Sequence, residues 1–255
     1  MSAPGRSQAL DPAARRAAGP ATSADPLRPW LPAGTVYGTL LNFRREWDLW
    51  APRMAEPPHQ GAPRAPVLYV KTANTFAPCG AAVPVAGEVE LGATLGLVIG
   101  DFDPNAAQAR ASIDSSAIET IVPAIAGGVL MNDLALPHAS YYRPPLRFRN
   151  RDGFLVCGPA LRPLALGDVA RLAIELRVNG APVQRVDGAR LVRSAATLLA
   201  DVAEFMTLQP GDVLLIGTDC LPDGSRPRAR AGDRIEIAAP GLAPLWHTLT
   251  PEDRP

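Results

Sequence analysis

Lysine is almost missing from this chain: of 25 basic side chains, every one but Lys71 is arginine. Charge excess is missing too, with 25 acidic against 25 basic groups and a pI near 6.8. A generic nucleic-acid binder carries a basic surplus, so that class is disfavoured. Cys79, Cys157 and Cys220 are odd in number and far apart, without CxxC or Cys/His ligand spacing. Neither a disulfide framework nor a structural zinc site is supported. The apolar runs are too short to span a bilayer, and Met1 to Thr22 lacks the apolar core of a secretory signal. The expectation is a cytoplasmic enzyme or binding protein, with no nucleic-acid and no membrane partner.

Residues 1–30 are rich in Ala, Pro, Ser and Arg and show neither helical nor strand period. They read as a disordered N-terminal extension, followed by a single domain over residues 34–250. From Gly34 onward, short apolar runs alternate with Gly, Pro and Asp. Strands are expected at Thr35–Leu41, Val67–Val70, Ala93–Ile99, Gly128–Met131, Arg171–Val178, Val213–Ile216 and Arg234–Ile237. Asn179-Gly180 suits a tight hairpin turn. Helical signal is sparse. Ser194–Met206 places Leu198, Leu199, Val202, Phe205 and Met206 on one face, and Ser115–Ala126 is a second candidate, interrupted at Pro123. Strands outnumber helices and do not alternate with them, which argues against a doubly wound βαβ fold.

Lys71 ends the strand-like run Val67–Val70, where a sheet delivers a side chain to a site. Arginine cannot replace a compact ammonium with three rotatable donors, so Lys71 is either a site residue or a chance survivor of the arginine bias. Arg147, Arg149 and Arg151 would share one face of an extended chain, as a carboxylate-binding ladder or a charged edge strand. Asn132-Asp133 closes an apolar run, and a carboxylate there suits a Mg²⁺ ligand, a general base or a cap. Glu46 and Asp48, flanked by Trp47 and Trp50, are acid/base candidates or members of an amphipathic surface turn. The three histidines, His59, His138 and His247, form no sequence triad.

Together these segments resemble the fumarylacetoacetate hydrolase superfamily over roughly Gly34 to Thr248. The resemblance is carried by Asn42-Phe43, Tyr69 to Thr75, Leu97 to Gly100, Asn132-Asp133, Arg149 to Gly153, Val178 to Gly180 with Gln184, and Leu208 to Thr218. Ser140 to Pro144 with Arg151 to Phe154 is similar, more narrowly, to the isomerase/decarboxylase group of 4-hydroxyphenylacetate (homoprotocatechuate) meta-cleavage catabolism, and to the N-terminal type of half within it.

The resemblance implies a mostly β fold with some α, a mixed β-roll or sandwich with peripheral helices, assembled as a homodimer or as a heteromer with a paralogous subunit. It implies di- or tricarboxylate substrates, with Lys71, Glu46 and Asp48 as catalytic residues. Arg149, Asp152, Thr218 and Asn132 would bind substrate. Family members bind Mg²⁺ or Mn²⁺, but the positions of two family glutamates fall here on Gly92 and Thr94, leaving Asp133 as the remnant of the metal set. The family's His-Glu pair falls on Glu46 and Leu49. A metal-independent isomerase is therefore expected. The alternatives are a catalytically reduced partner subunit and a hydrolase of acylpyruvate-type substrates.

Overall fold

Continuous apolar runs need cover on both faces, and that requirement organises the larger sheet. The structure is a computed structural model describing residues 29–57, 61–101, 123–138 and 146–252. Its strands are β1 (Val36–Leu40), β2 (Val67–Lys71), β3 (Phe76–Pro78), β4 (Ala82–Val85), β5 (Glu88–Glu90), β6 (Ala93–Ile99), β7 (Ile125–Asp133) and β8 (Leu155–Cys157). They continue as β9 (Ala173–Val178), β10 (Ala181–Asp187), β11 (Val213–Leu215), β12 (Arg228–Arg230), β13 (Arg234–Ala238) and β14 (Leu245–Pro251). The helices are α1 (Arg44–Met54), α2 (Leu146–Arg149) and α3 (Ala195–Ala203).

Seven strands pair in the order β2-β1-β11-β6-β7-β8-β3, and five in the order β10-β9-β13-β14-β4. Strand β6 is buried at every position. Its Leu95, Leu97 and Ile99 join Leu214 and Ile216 in the main core, which also takes Ile174, Leu176, Ile235 and Ile237 from the second sheet and Leu198, Leu199 and Val202 from α3. The alternate residues Val98, Val129, Met131, Val213 and Leu215 form a smaller cluster on the other face. At Gly96 a Cβ would lie 2.8 Å from Val213 Cγ1, so the close approach there requires glycine.

The mostly β architecture with few helices agrees with expectation. The hairpin is present: Asn179 and Gly180 both adopt positive φ and join β9 to β10. Ser194 caps α3 by accepting a hydrogen bond from the Thr197 N–H. Two expectations are corrected. The arginine ladder is not extended, because Leu146–Arg149 is a turn of helix with Arg147 exposed and Arg149 buried. The proposed helix Ser115–Ala126 lies outside the described residues up to 122, and from Ile125 the chain is strand β7. The extension 1–30 lies outside them up to residue 28.

Candidate active site

Four segments converge where β2 and β7 end. Strand β1 pairs with β2 so that Gly38 faces Tyr69, and a Cβ at Gly38 would fall 2.0 Å from the Tyr69 Cζ. The missing side chain lets the phenol lie across β1 and carry its hydroxyl to Asp133. The last residue of β2 is Lys71 and the last of β7 is Asp133, separated by 2.9 Å between Nζ and Oδ1. The turn of helix α2 supplies Arg149, whose Nη1 lies 3.0 Å from Asp133 Oδ2. Its guanidinium also stacks on the Tyr69 ring, 4.7 Å from the centroid.

Lys71 is 1 % exposed, and its ammonium faces the carbonyl oxygens of Arg149 at 2.5 Å, Phe154 at 2.8 Å and Leu134 at 3.4 Å besides Asp133. An ammonium has three protons, so these acceptors use its full donor capacity. Burial lowers the Lys71 ammonium from its usual value while Asp133 pulls the other way. Burial alone would raise the Asp133 carboxyl, but Lys71, then Arg149 and Tyr69, outweigh it and hold the group below the ordinary carboxylate value. Burial and the Asp133 charge push the Tyr69 phenol well up, which keeps its proton on oxygen as a donor.

Next to this cluster lies a second one. Arg226 donates through Nη1 to Thr218 Oγ1 and through Nη2 to Glu46 Oε1 at 2.8 Å. The other Glu46 oxygen accepts the Leu41 N–H at 3.2 Å. The clusters are neighbours: Gly92 lies between the Asp133 carbonyl and the Thr218 methyl, and the Arg226 charge works against burial at the Tyr69 phenol. Asn132 closes the floor, its Oδ1 accepting the Gly92 N–H at 3.0 Å and its amide nitrogen facing His247 Nε2 at 2.9 Å. Because the Asn132 oxygen is committed to Gly92, the amide donates to His247, whose Nε2 is therefore unprotonated. Burial lowers the His247 imidazole to about 4.

Of the residues expected from sequence, Lys71, Asp133, Arg149, Asn132, Thr218 and Glu46 are brought together and buried. Asp152 is exposed, accepting from Asn74 at 2.7 Å. Asp48 is exposed on α1, two positions and so more than half a helical turn from Glu46. Arg226, Tyr69 and His247 were not anticipated. The Tyr69 signal was legible as an aromatic two residues before the unique lysine. Arg226 sits in Asp223-Gly-Ser-Arg-Pro-Arg, where nothing local separates a buried arginine from exposed ones.

The residues present do not fit a divalent metal. A side chain at position 92 has no room, since its Cβ would lie 2.5 Å from the Asp133 carbonyl oxygen and 2.8 Å from Thr218 Cγ2. Thr94 donates its hydroxyl to the Gly217 carbonyl at 2.6 Å. Both Asp133 oxygens face the protein's own donors. Glu88 and Glu90 pair instead with Arg228, at 3.4 and 3.9 Å. Among the described residues no group of three His, Cys, Asp or Glu side chains could hold a metal, and no helix is long and apolar enough to cross a membrane.

Comparison with known proteins gives the same fold. The fumarylacetoacetate (FAA) hydrolase C-terminal family matches residues 35–250. The 4-hydroxyphenylacetate degradation bifunctional isomerase/decarboxylase of Escherichia coli is 35% identical over 221 residues, covering 86% of this chain and 48% of that protein. The chain thus spans about half the length of the curated relatives it matches. The 5-carboxymethyl-2-hydroxymuconate delta-isomerase of Mycobacterium smegmatis superposes with a TM-score of 0.63 at 24% identity, over 88% of this chain and 81% of that one. A maleylpyruvate hydrolase from Sphingobium sp. SYK-6, solved with manganese(II) and pyruvate, gives 0.60 at 20% identity over 88% and 72%.

Proposed function

Because the chain belongs to the fumarylacetoacetate hydrolase family, we propose that it is one unit of an isomerase/decarboxylase of 4-hydroxyphenylacetate degradation, acting on 2-oxo or 2-hydroxy-dienoic dicarboxylates. Its step is isomerisation without a metal. Assembly as a homodimer or with a paralogous second unit belongs to the same proposal, as does a cytoplasmic setting.

The observation that carries this reading is the neutralisation of Asp133 by Lys71 and Arg149, beside positions 92 and 94 that offer no carboxylate. Ketonisation of a 2-hydroxy-2,4-dienedioate takes the proton from the enol oxygen and places one on a ring-opened chain carbon, with no carbon–carbon bond broken. The intermediate is a dienolate, which fixed cations stabilise through preorganised charge. Arg149 and Arg226 supply that charge, Lys71 fixes Asp133 and the Arg149 segment, and Glu46 carries the proton. Decarboxylation builds up more charge and is assigned to a metal-bearing partner.

A second reading is favoured by one observation, the saturation of Lys71 by backbone carbonyls and Asp133. In that reading the chain is a catalytically reduced partner that contributes structure. Loss of the diene absorbance of a 2-hydroxy-2,4-dienedioate, followed with the purified chain with and without excess EDTA, separates the two. Acceleration over the spontaneous rate, unchanged by EDTA, is expected. A rate equal to the spontaneous one leaves the partner role, and acceleration abolished by EDTA contradicts metal independence.

A further inference from the structure

Helix α1 is weakly seated for its length. Of its eleven residues only Glu46 and Met54 are buried, and Leu49 is exposed. What holds its first half is polar: Glu46 to Arg226 at 2.8 Å, Arg45 Nη1 to the Cys220 carbonyl at 2.5 Å, and Arg45 to Asp219 at 3.5 Å. Just before the helix, Leu41 is held at φ 57, a left-handed conformation that a leucine adopts only under constraint. Its N–H is bound by the same Glu46 carboxylate. The glutamate thus fixes both the strained turn and the helix by resting on one guanidinium.

We infer that Arg226 is the binding site for one carboxylate of a dicarboxylate ligand, and that Glu46 occupies it as an internal stand-in until the ligand displaces it. This inference rests on the dicarboxylate substrate class proposed above. The guanidinium presents two donors, one to Thr218 Oγ1 and one to Glu46 Oε1, which is a carboxylate-binding fork already filled. The charges support the exchange. Lys71, Arg149 and Arg226 face Asp133 and Glu46, three cations against two carboxylates. Exchange of Glu46 for a ligand carboxylate keeps an anion on the Arg226 guanidinium throughout. Release of Glu46 also frees the Leu41 N–H and the start of α1, coupling occupancy of Arg226 to movement of the helix and liberating Glu46 to carry a proton.

An internal competitor makes an unusual prediction: weakening it must strengthen the ligand. Heptanedioate is the probe, with heptanoate as the single-charge control, and binding is read from the fluorescence of Trp47 and Trp50 on α1. Glu46→Gln and Glu46→Ala are expected to bind heptanedioate about tenfold more tightly than the unmodified chain, because a charged acceptor is replaced by a neutral or absent one. Arg226→Gln alone, and the neutral pair Glu46→Gln/Arg226→Gln that leaves no buried charge unpartnered, should each lose binding by at least about tenfold. Heptanoate should bind more weakly than heptanedioate throughout. Equal or weaker binding in both Glu46 variants overturns the inference, as does undiminished binding without Arg226 or no heptanedioate binding to any variant. None of these readouts requires turnover, so a chain that binds in this way but does not isomerise leaves the inference standing and removes only the isomerase reading.

Discussion

Lys71→Met should lower the free energy of unfolding by about 3–5 kcal/mol, the scale for removing one partner from a buried ion pair. In a chain of this size that corresponds to a fall in melting temperature on the order of 10 °C. The substitution keeps the stem but strips three backbone carbonyls of their shared donor and Asp133 of one ion-pair partner. Those carbonyls belong to Leu134, Arg149 and Phe154, so one ammonium ties the end of β7 to α2 and to the segment entering β8. Lys71→Arg should recover little, because a planar guanidinium cannot aim at acceptors converging on one small volume. That convergence explains why a chain otherwise written in arginine keeps one lysine. Urea unfolding of the two variants beside the parent chain measures the effect. A variant as stable as the parent, with activity reduced by decades, would return Lys71 to the substrate-facing role suggested by its sequence position.

Acid should weaken the fold through His247 already at mildly acidic pH. This imidazole is 0 % exposed, and burial lowers it to about 4 from an ordinary 6.5. Above pH 6.5 both folded and unfolded chains hold it neutral, and its contribution is fully present. As pH falls from 6.5 towards 4 the unfolded chain takes up a proton that the folded chain refuses, so stability declines by about 3 kcal/mol. Below about 4 both states are protonated and the loss levels off. Asp133, held below its ordinary 3.8 by Lys71 and Arg149 against the opposing effect of burial, adds its own loss only at still lower pH. Unfolding free energies at pH 7.5 and 4.5 should therefore differ by most of this amount in the parent chain. In His247→Gln, which keeps an acceptor for Asn132 but cannot titrate, the difference should be much smaller. The same pH dependence in both proteins would assign the acid sensitivity elsewhere.

Where burial repeats over several residues, local sequence was enough. The apolar run Ala93–Ile99 is β6 with both faces covered, Asn179-Gly180 makes its turn through positive φ, and Ser194 starts α3. The three-residue strands β3 and β5 were out of reach, because their partners are remote: β3 is set by Phe76 against Leu155, and β5 by Glu88 against Arg230. Strand identity there resides in the pairing and not in propensity. The arginine ladder failed for a related reason. Arg149 gains more from Asp133 and the Tyr69 ring than from sharing an extended face with Arg147 and Arg151, and Arg151 pairs with Glu252 instead. In the site, Lys71 and Asp133 were legible as residue types at strand ends, and Thr218 through the family resemblance. That the lysine would turn inward onto carbonyls, and that Arg226 would cross to Glu46, are facts of packing between segments up to 180 residues apart.

Lys71 and Arg149 neutralise Asp133, the position where the family resemblance implies a metal-ligating carboxylate. Calorimetric titration of Mn²⁺ into the purified chain addresses this directly. With Lys71 and Arg149 on Asp133 and no carboxylate at 92 or 94, no site tighter than about millimolar is expected, the range of weakly provided oxygen sites. A stoichiometric micromolar site that disappears in Asp133→Asn would contradict it.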